Sequence, residues 1–152
     1  MDETIKFKII DILSKQNDMT LATIREDGYP QATTVAYARD VLDIYFGCTP
    51  HSQKARNIAQ SNKISLTITP HYTDWNSIRG LSIGGRAELL IERPDIMRTE
   101  AMFFAKFPFL VQYAPDARSN LTLYRIVPEV ISVLDYTKQF GHVDYVTLPA
   151  RK

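Results

Sequence analysis

Residues 41–68 read VLDIYFGCTPHSQKARNIAQSNKISLTI, and the stretch changes character three times. Aliphatic and aromatic residues crowd 41–46 as in a strand, and Gly47 breaks the run. After Pro50 the spacing becomes helical: Ala55, Ile58 and Ala59 share one side, while Lys54 and Arg56 leave the other. Ser52 stands where a helix cap belongs. Ile64, Leu66 and Ile68 then alternate with Ser65, Thr67 and Thr69, the period-two pattern of a strand with one buried face. The unit is strand, loop, short basic helix, strand.

The start of that helix has a chemical meaning as well. Unpaired backbone N–H groups, a hydroxyl at the cap and a lysine within one turn together make a site for an anion, most naturally a phosphate. The same residues also describe an ordinary surface helix with solvated cations, and the segment by itself leaves both readings open.

Upstream, Ile5, Ile9, Ile12 and Leu13 recur at helical spacing behind Asp2 and Glu3, which suit a helix N-terminus, so an amphipathic helix is expected to end before Asn17. Residues 20–24 are β-rich, Asp27-Gly28 is a hairpin turn, and Pro30 opens a second strand that runs to Tyr37. Arg39-Asp40 punctuates before the strand at 41–46. Downstream, 78–91 is extended, with Gly80, Gly84 and Gly85 marking bulges or close approach. Pro94 fits a first helical turn, and Ile96, Met97, Ala101, Phe104 and Ala105 give that helix an apolar side reaching about Phe107. A proline-broken aromatic loop, Phe107-Pro108-Phe109-Leu110 and Tyr113-Ala114-Pro115, precedes two last strands at 121–127 and 129–134. Arg86, Glu88, Glu92 and Arg93 read as a solvated face. Six to seven antiparallel strands with three helical pieces predict an α+β, mainly β protein whose sheet closes into a small split barrel with flanking helices.

The chain of 152 residues fits one domain, with a core over about 4–136 and a C-terminal arm at 137–152. Eighteen basic and seventeen acidic residues leave a formal charge of +1, so no global field recruits nucleic acid or an anionic membrane. Cys48 is the only cysteine, which excludes an intrachain disulfide framework and fits a reducing cytosol. The opening MDETIKFKII has no secretory pattern, and a soluble, cytoplasmic protein is expected. His51, His71 and His142 lack ligand spacing, so no metal site is expected, and no nucleophile elbow is present. Cys48 at a strand end reads first as a small packing residue.

With the elements in this order, the sequence resembles the flavin-binding split barrels of the pyridoxamine 5'-phosphate oxidase superfamily, in particular their short general-stress-protein branch. The resemblance covers about residues 4–136 and is carried by MTLATIREDGYPQATTVAY, DIYFGCTPHSQKARNIAQSNKISLTI, RGLSIGGRAELL and YRIVPEVISVLDY. It implies a homodimer with FMN between subunits. By position it places Gly47 and Cys48 against the cofactor, Gln53 and Lys54 on its phosphate with Ser52 as cap and donor, Thr33, Thr34, Val35 and Ala36 along the isoalloxazine, and Gly80, Leu81 and Ser82 approaching the ring from another strand. Two departures stand out. Where the family's oxidases carry Arg and Lys on the strand after the proline, this chain has Thr33 and Ala38, and nothing in LDYTKQFGHVDYVTLPARK reproduces their C-terminal clasp for the vitamer phosphate. The expectation is therefore a flavin-dependent oxidoreductase acting on an unidentified small molecule, not a true pyridoxamine 5'-phosphate oxidase. The alternatives are a non-catalytic carrier of flavin, deazaflavin or haem, and a cofactor-free dimeric interaction module. Catalytic residues are not identified by the sequence.

Overall fold

A computed structural model of the chain describes residues 1–113 and 120–151. The break expected at Ala114-Pro115 lies outside them. The order is α1 (Glu3–Lys15), β1 (Asp18–Ile24), β2 (Pro30–Ala36), β3 (Ala38–Asp40), β4 (Asp43–Cys48), α2 (Gln53–Gln60), β5 (Lys63–Ile68), β6 (Arg79–Leu89), α3 (Arg93–Lys106), β7 (Thr122–Asp135) and β8 (Val143–Thr147). Short 3-10 turns occupy Trp75–Ser77 and Pro108–Gln112.

One antiparallel sheet runs β2-β1-β5-β6-β7-β4-β3, with β8 added beside β7. Its two ends are covalent neighbours: β2 stops at Ala36 and β3 begins at Ala38, so the sheet must curl until its first and last strands meet at Tyr37. That is the physical basis of the split barrel. Tyr37 is fully buried, and its hydroxyl donates to the Leu13 carbonyl of α1 at 2.8 Å. Ile9, Ile12 and Leu13 of α1 join Leu21, Ile44, Phe46, Leu66, Ile83, Ile126 and Ile131 of the sheet in a single core. Each such side chain contributes roughly 2 kcal/mol on burial.

The hairpin is where its turn chemistry puts it. Gly28 takes φ 85°, the Asp27 carboxylate accepts from the Tyr29 amide, and seven residue pairs run in register from Asp18/Ala36 to Ile24/Pro30. Two expectations need correction. The strand expected from Val41 begins at Asp43, because Asp40 pairs with Asp43 and leaves Val41-Leu42 as a two-residue turn, with Val41 at φ 53°. The strands expected at 121–127 and 129–134 are one fourteen-residue strand, β7. Pro128 is accommodated because β7 changes partner around it, pairing β4 through Ile126 and β8 from Val130, while β6 bulges at Gly84/Gly85. Within 137–152 the segment Val143–Thr147 pairs with β7 as β8, and Phe140-Gly141-His142 forms the turn before it.

Candidate functional site

Between β4 and α2 the chain turns through Thr49 and Pro50, and Ser52 caps the helix, its hydroxyl accepting from the Ala55 amide at 3.3 Å. The helix is pinned to the sheet by Asn57, which is 1% exposed and donates to Thr23 of β1 at 2.9 Å and to Gln31 of β2 at 3.1 Å. Gln53 donates to Asn57 and accepts from Arg56. Arg56 also donates to the His51 carbonyl at 2.6 Å. Of the two cations on α2, Arg56 is thus committed within its own turn. Lys54 is half-buried and has no hydrogen bond or ion pair with any described residue. The Gln53 side chain serves α2 itself, so its backbone N–H, beside that of Lys54, is what it has to offer an anion.

β2 forms one end of the sheet, and its register fixes which groups face outward. Tyr37 donates to Asn17 and Arg25 to Tyr29, so the pairs Val35/Met19, Thr33/Leu21 and Gln31/Thr23 exchange the hydrogen bonds with β1. The N–H and C=O groups of Ala32, Thr34 and Ala36 point away from β1. Val35 is buried, Thr33 half-buried, and Thr34 and Ala36 exposed. No charged residue lies between Pro30 and Ala36, and such an edge is ordinarily protected or put to use. It leads from Gln31, beside α2, to Ala36, a span of roughly 17 Å.

At the Ala36 end lies a cavity of about 750 Å³ between α3 with its following turn and the barrel wall. Val35, Ala36, Gly47, Leu121 and Leu123 line the wall side, and Phe103, Phe104 and Phe107 the other. A Cβ on Gly47 would approach Leu123 to 3.1 Å, so glycine keeps that side clear. Thr99 is the only residue of α3 that is buried. The apolar side expected for α3 is accordingly revised: Met97, Ala101 and Ala105 are exposed, and Ile96, Glu100, Phe103 and Phe104 face the cavity. Asp18 and Glu100 are the only charged side chains among the described residues lining it. Phe103, Phe107, Glu100 and Asp18 were not legible as site residues, since helical spacing of aromatics reads equally as core.

The remaining expected residues lie elsewhere. Cys48 is buried in the core, and its carbonyl accepts from Thr122. Gly80, Leu81 and Ser82 pair with Leu134, Val133 and Ser132, whereas the strand neighbour of Gly47 is Leu123 at the other end of β7. That separation is roughly 30 Å along the strand, so one copy of the chain does not unite these glycines. Near them a smaller cavity of about 340 Å³ is lined by Lys15, His71, Tyr72 and Arg79. His142 lies 3.0 Å from Asp144, which with Lys138 holds the Asp144 carboxyl below its usual range. His51 is exposed. Trp75 and Phe140 are exposed and face each other across 6.5 Å. Among the described residues no cluster of three His, Cys, Asp or Glu side chains is placed to hold a metal, and no helix is long and apolar enough to cross a membrane.

Fold and strand order define a split β-barrel with an open edge strand beside a capped basic helix. The chain belongs to the pyridoxamine 5'-phosphate oxidase family, whose model matches residues 5–135. No curated protein matches it. Among solved structures it is similar to the conserved hypothetical protein Rv2991 from Mycobacterium tuberculosis, at 24% identity and TM-score 0.79 over 100% of this chain and 91% of that one. General Stress Protein 26 from Bacillus anthracis str. Sterne is similar at 19% identity and TM-score 0.70, over 95% of this chain and 98% of the other. A heme binding protein from Mycobacterium smegmatis gives 19% identity and TM-score 0.79; 93% of this chain is covered, and it spans 57% of that protein's length. At these identities the likeness is one of fold.

Proposed function

We propose that the chain is an FMN-binding flavoprotein, a flavin-dependent oxidoreductase for a small molecule, and that it works as a homodimer. The observation that carries this reading is Lys54, an ammonium without a partner among the described residues, at the capped start of a helix that Asn57 ties to the uncharged edge of β2. Lys54 and the amides of Gln53 and Lys54 would hold the phosphate. The outward backbone groups of Thr34 and Ala36, with Gly47 leaving room beside them, would meet the ring. FMN, when bound, supplies the hydride chemistry, and the chain's part is to orient the ring and exclude water. The family's name is that of an oxidase, which supports redox chemistry of the kind a flavin supplies. Dimerisation is supported by the reach required to bring Gly80 to Ser82 toward a flavin beside Gly47, roughly 30 Å away along β7. Light scattering should return twice the 17.4 kDa chain mass.

The test is a titration of the flavin-stripped protein with FMN and with riboflavin. Lys54→Ala should weaken FMN binding by roughly ten- to a hundredfold and leave riboflavin unaffected. Equal affinity of the wild type for both flavins would refute the anion site. Haem is the competing ligand, favoured by the heme binding relative. Against it, the described residues lining the large cavity include no His, Cys or Tyr to ligate iron. The absorbance spectrum of the protein as isolated separates the two, since flavin bands and a Soret band do not overlap in shape.

A further inference from the structure

We propose that the cavity beneath α3 is the substrate pocket, and that it takes a flat, apolar, neutral or cationic ligand while rejecting phosphorylated and other anionic ones. The assignment as substrate pocket rests on the flavin reading of β2; the ligand class rests on the cavity alone. At about 750 Å³ it lies within the range of small-molecule sites. Its aromatic side is supplied by Phe103, Phe104 and Phe107, a surface for a planar ring system.

Charge decides the rest. Glu100 is half-buried and Asp18 lies at the surface; neither side chain has a hydrogen bond or ion pair with a described residue. The Glu100 carboxylate is available to a ligand's cation or N–H donor, while Asp18 also feels the Lys106 ammonium. No lysine or arginine lines the cavity among the described residues. Nearby Lys106 has its ammonium engaged by the Gln16 and Tyr37 carbonyls and the Tyr37 ring. A phosphate or sulfonate entering here would shed water next to the Glu100 carboxylate, and no described cation lines the cavity to offset it. A cation would meet the reverse.

Fluorescence titration with two flat tricyclic probes, cationic proflavine and anionic anthracene-2-sulfonate, tests this on the whole chain. Proflavine should bind about tenfold more tightly than the sulfonate at low salt, with the preference shrinking as salt is added. Glu100→Gln should reduce the preference several-fold, and Glu100→Lys should reverse it. Glu100 is partly exposed, so both variants are expected to fold, and circular dichroism checks that they do. Equal or tighter binding of the sulfonate, a preference unmoved by either variant, or binding of neither probe would overturn the proposal. Neither probe needs flavin, so these outcomes are read independently of whether FMN binds; the flavin titration above fails or succeeds on Lys54.

Discussion

The Lys106 ammonium lies 3.8 Å from the centre of the Tyr37 ring and donates to the Tyr37 carbonyl at 2.8 Å. A helix outside the barrel thereby holds the one residue at which the two ends of the sheet meet. Burial lowers the Lys106 pKa from 10.5 to about 8, with Arg39 adding to the effect and Asp18 opposing it. Between these two values the unfolded chain binds a proton that the folded chain releases, so this residue's contribution to stability rises with pH across the window. Urea midpoints for wild type and Lys106→Met should therefore diverge in favour of the wild type on going from neutral to alkaline pH. A difference independent of pH would show that the ammonium is not held against its preference.

Lys8 and Asp135 predict the opposite limb. Burial alone would raise the Asp135 carboxyl, but hydrogen bonds from Lys8 and Thr137 outweigh it and bring the pKa from 3.8 to about 2. The stability this gives is present above 3.8 and disappears as pH falls toward about 2. Lys8→Met should cost about 3 kcal/mol at neutral pH, or roughly 6–12 °C in Tm, because it leaves a buried carboxylate without its counter-ion. The variant's stability should also depend less on pH below the usual carboxylate range, which thermal scans at several acidic pH values read directly.

Val41, at φ 53° in a two-residue turn, is a β-branched residue in the left-handed region, which strains it. Its side chain is 54% exposed, so little packing is lost by replacing it. Val41→Asn should stabilise the protein by about 1 kcal/mol, roughly 2–4 °C in Tm. An unchanged or lowered Tm would mean that Val41 is held by contacts stronger than the strain.

Asn57 separates support of the anion site from contact with the anion. Asn57→Ala leaves Thr23 and Gln31 without their donor and should cost about 2 kcal/mol. It should also weaken FMN binding by loosening α2. Lys54→Ala, at a side chain with no described partner, should weaken FMN binding while leaving Tm within about 1 °C. Loss of stability in both variants would make Lys54 a structural residue.

Local chemistry determined the elements that sequence order makes complete in themselves. The Asp27-Gly28 hairpin, the Ser52-capped helix and the alternation of Ile64, Leu66 and Ile68 depend on residues within a few positions of one another, and each lies where its pattern puts it. Tertiary structure decided the rest. Pro128 stays within a strand because β7 exchanges β4 for β8 around it, an arrangement that needs β4 from far upstream in the chain. Only folding shows which cation of α2 is left over, since Arg56 is taken by Gln53 and the His51 carbonyl and Lys54 is not. The cavity joins Val35, Gly47, Phe103 and Leu123 from four separate elements, and helical periodicity marks an apolar face without telling whether it will be filled or left open. That outcome depends on how far α3 stands from the barrel wall, a distance set by the whole curled sheet.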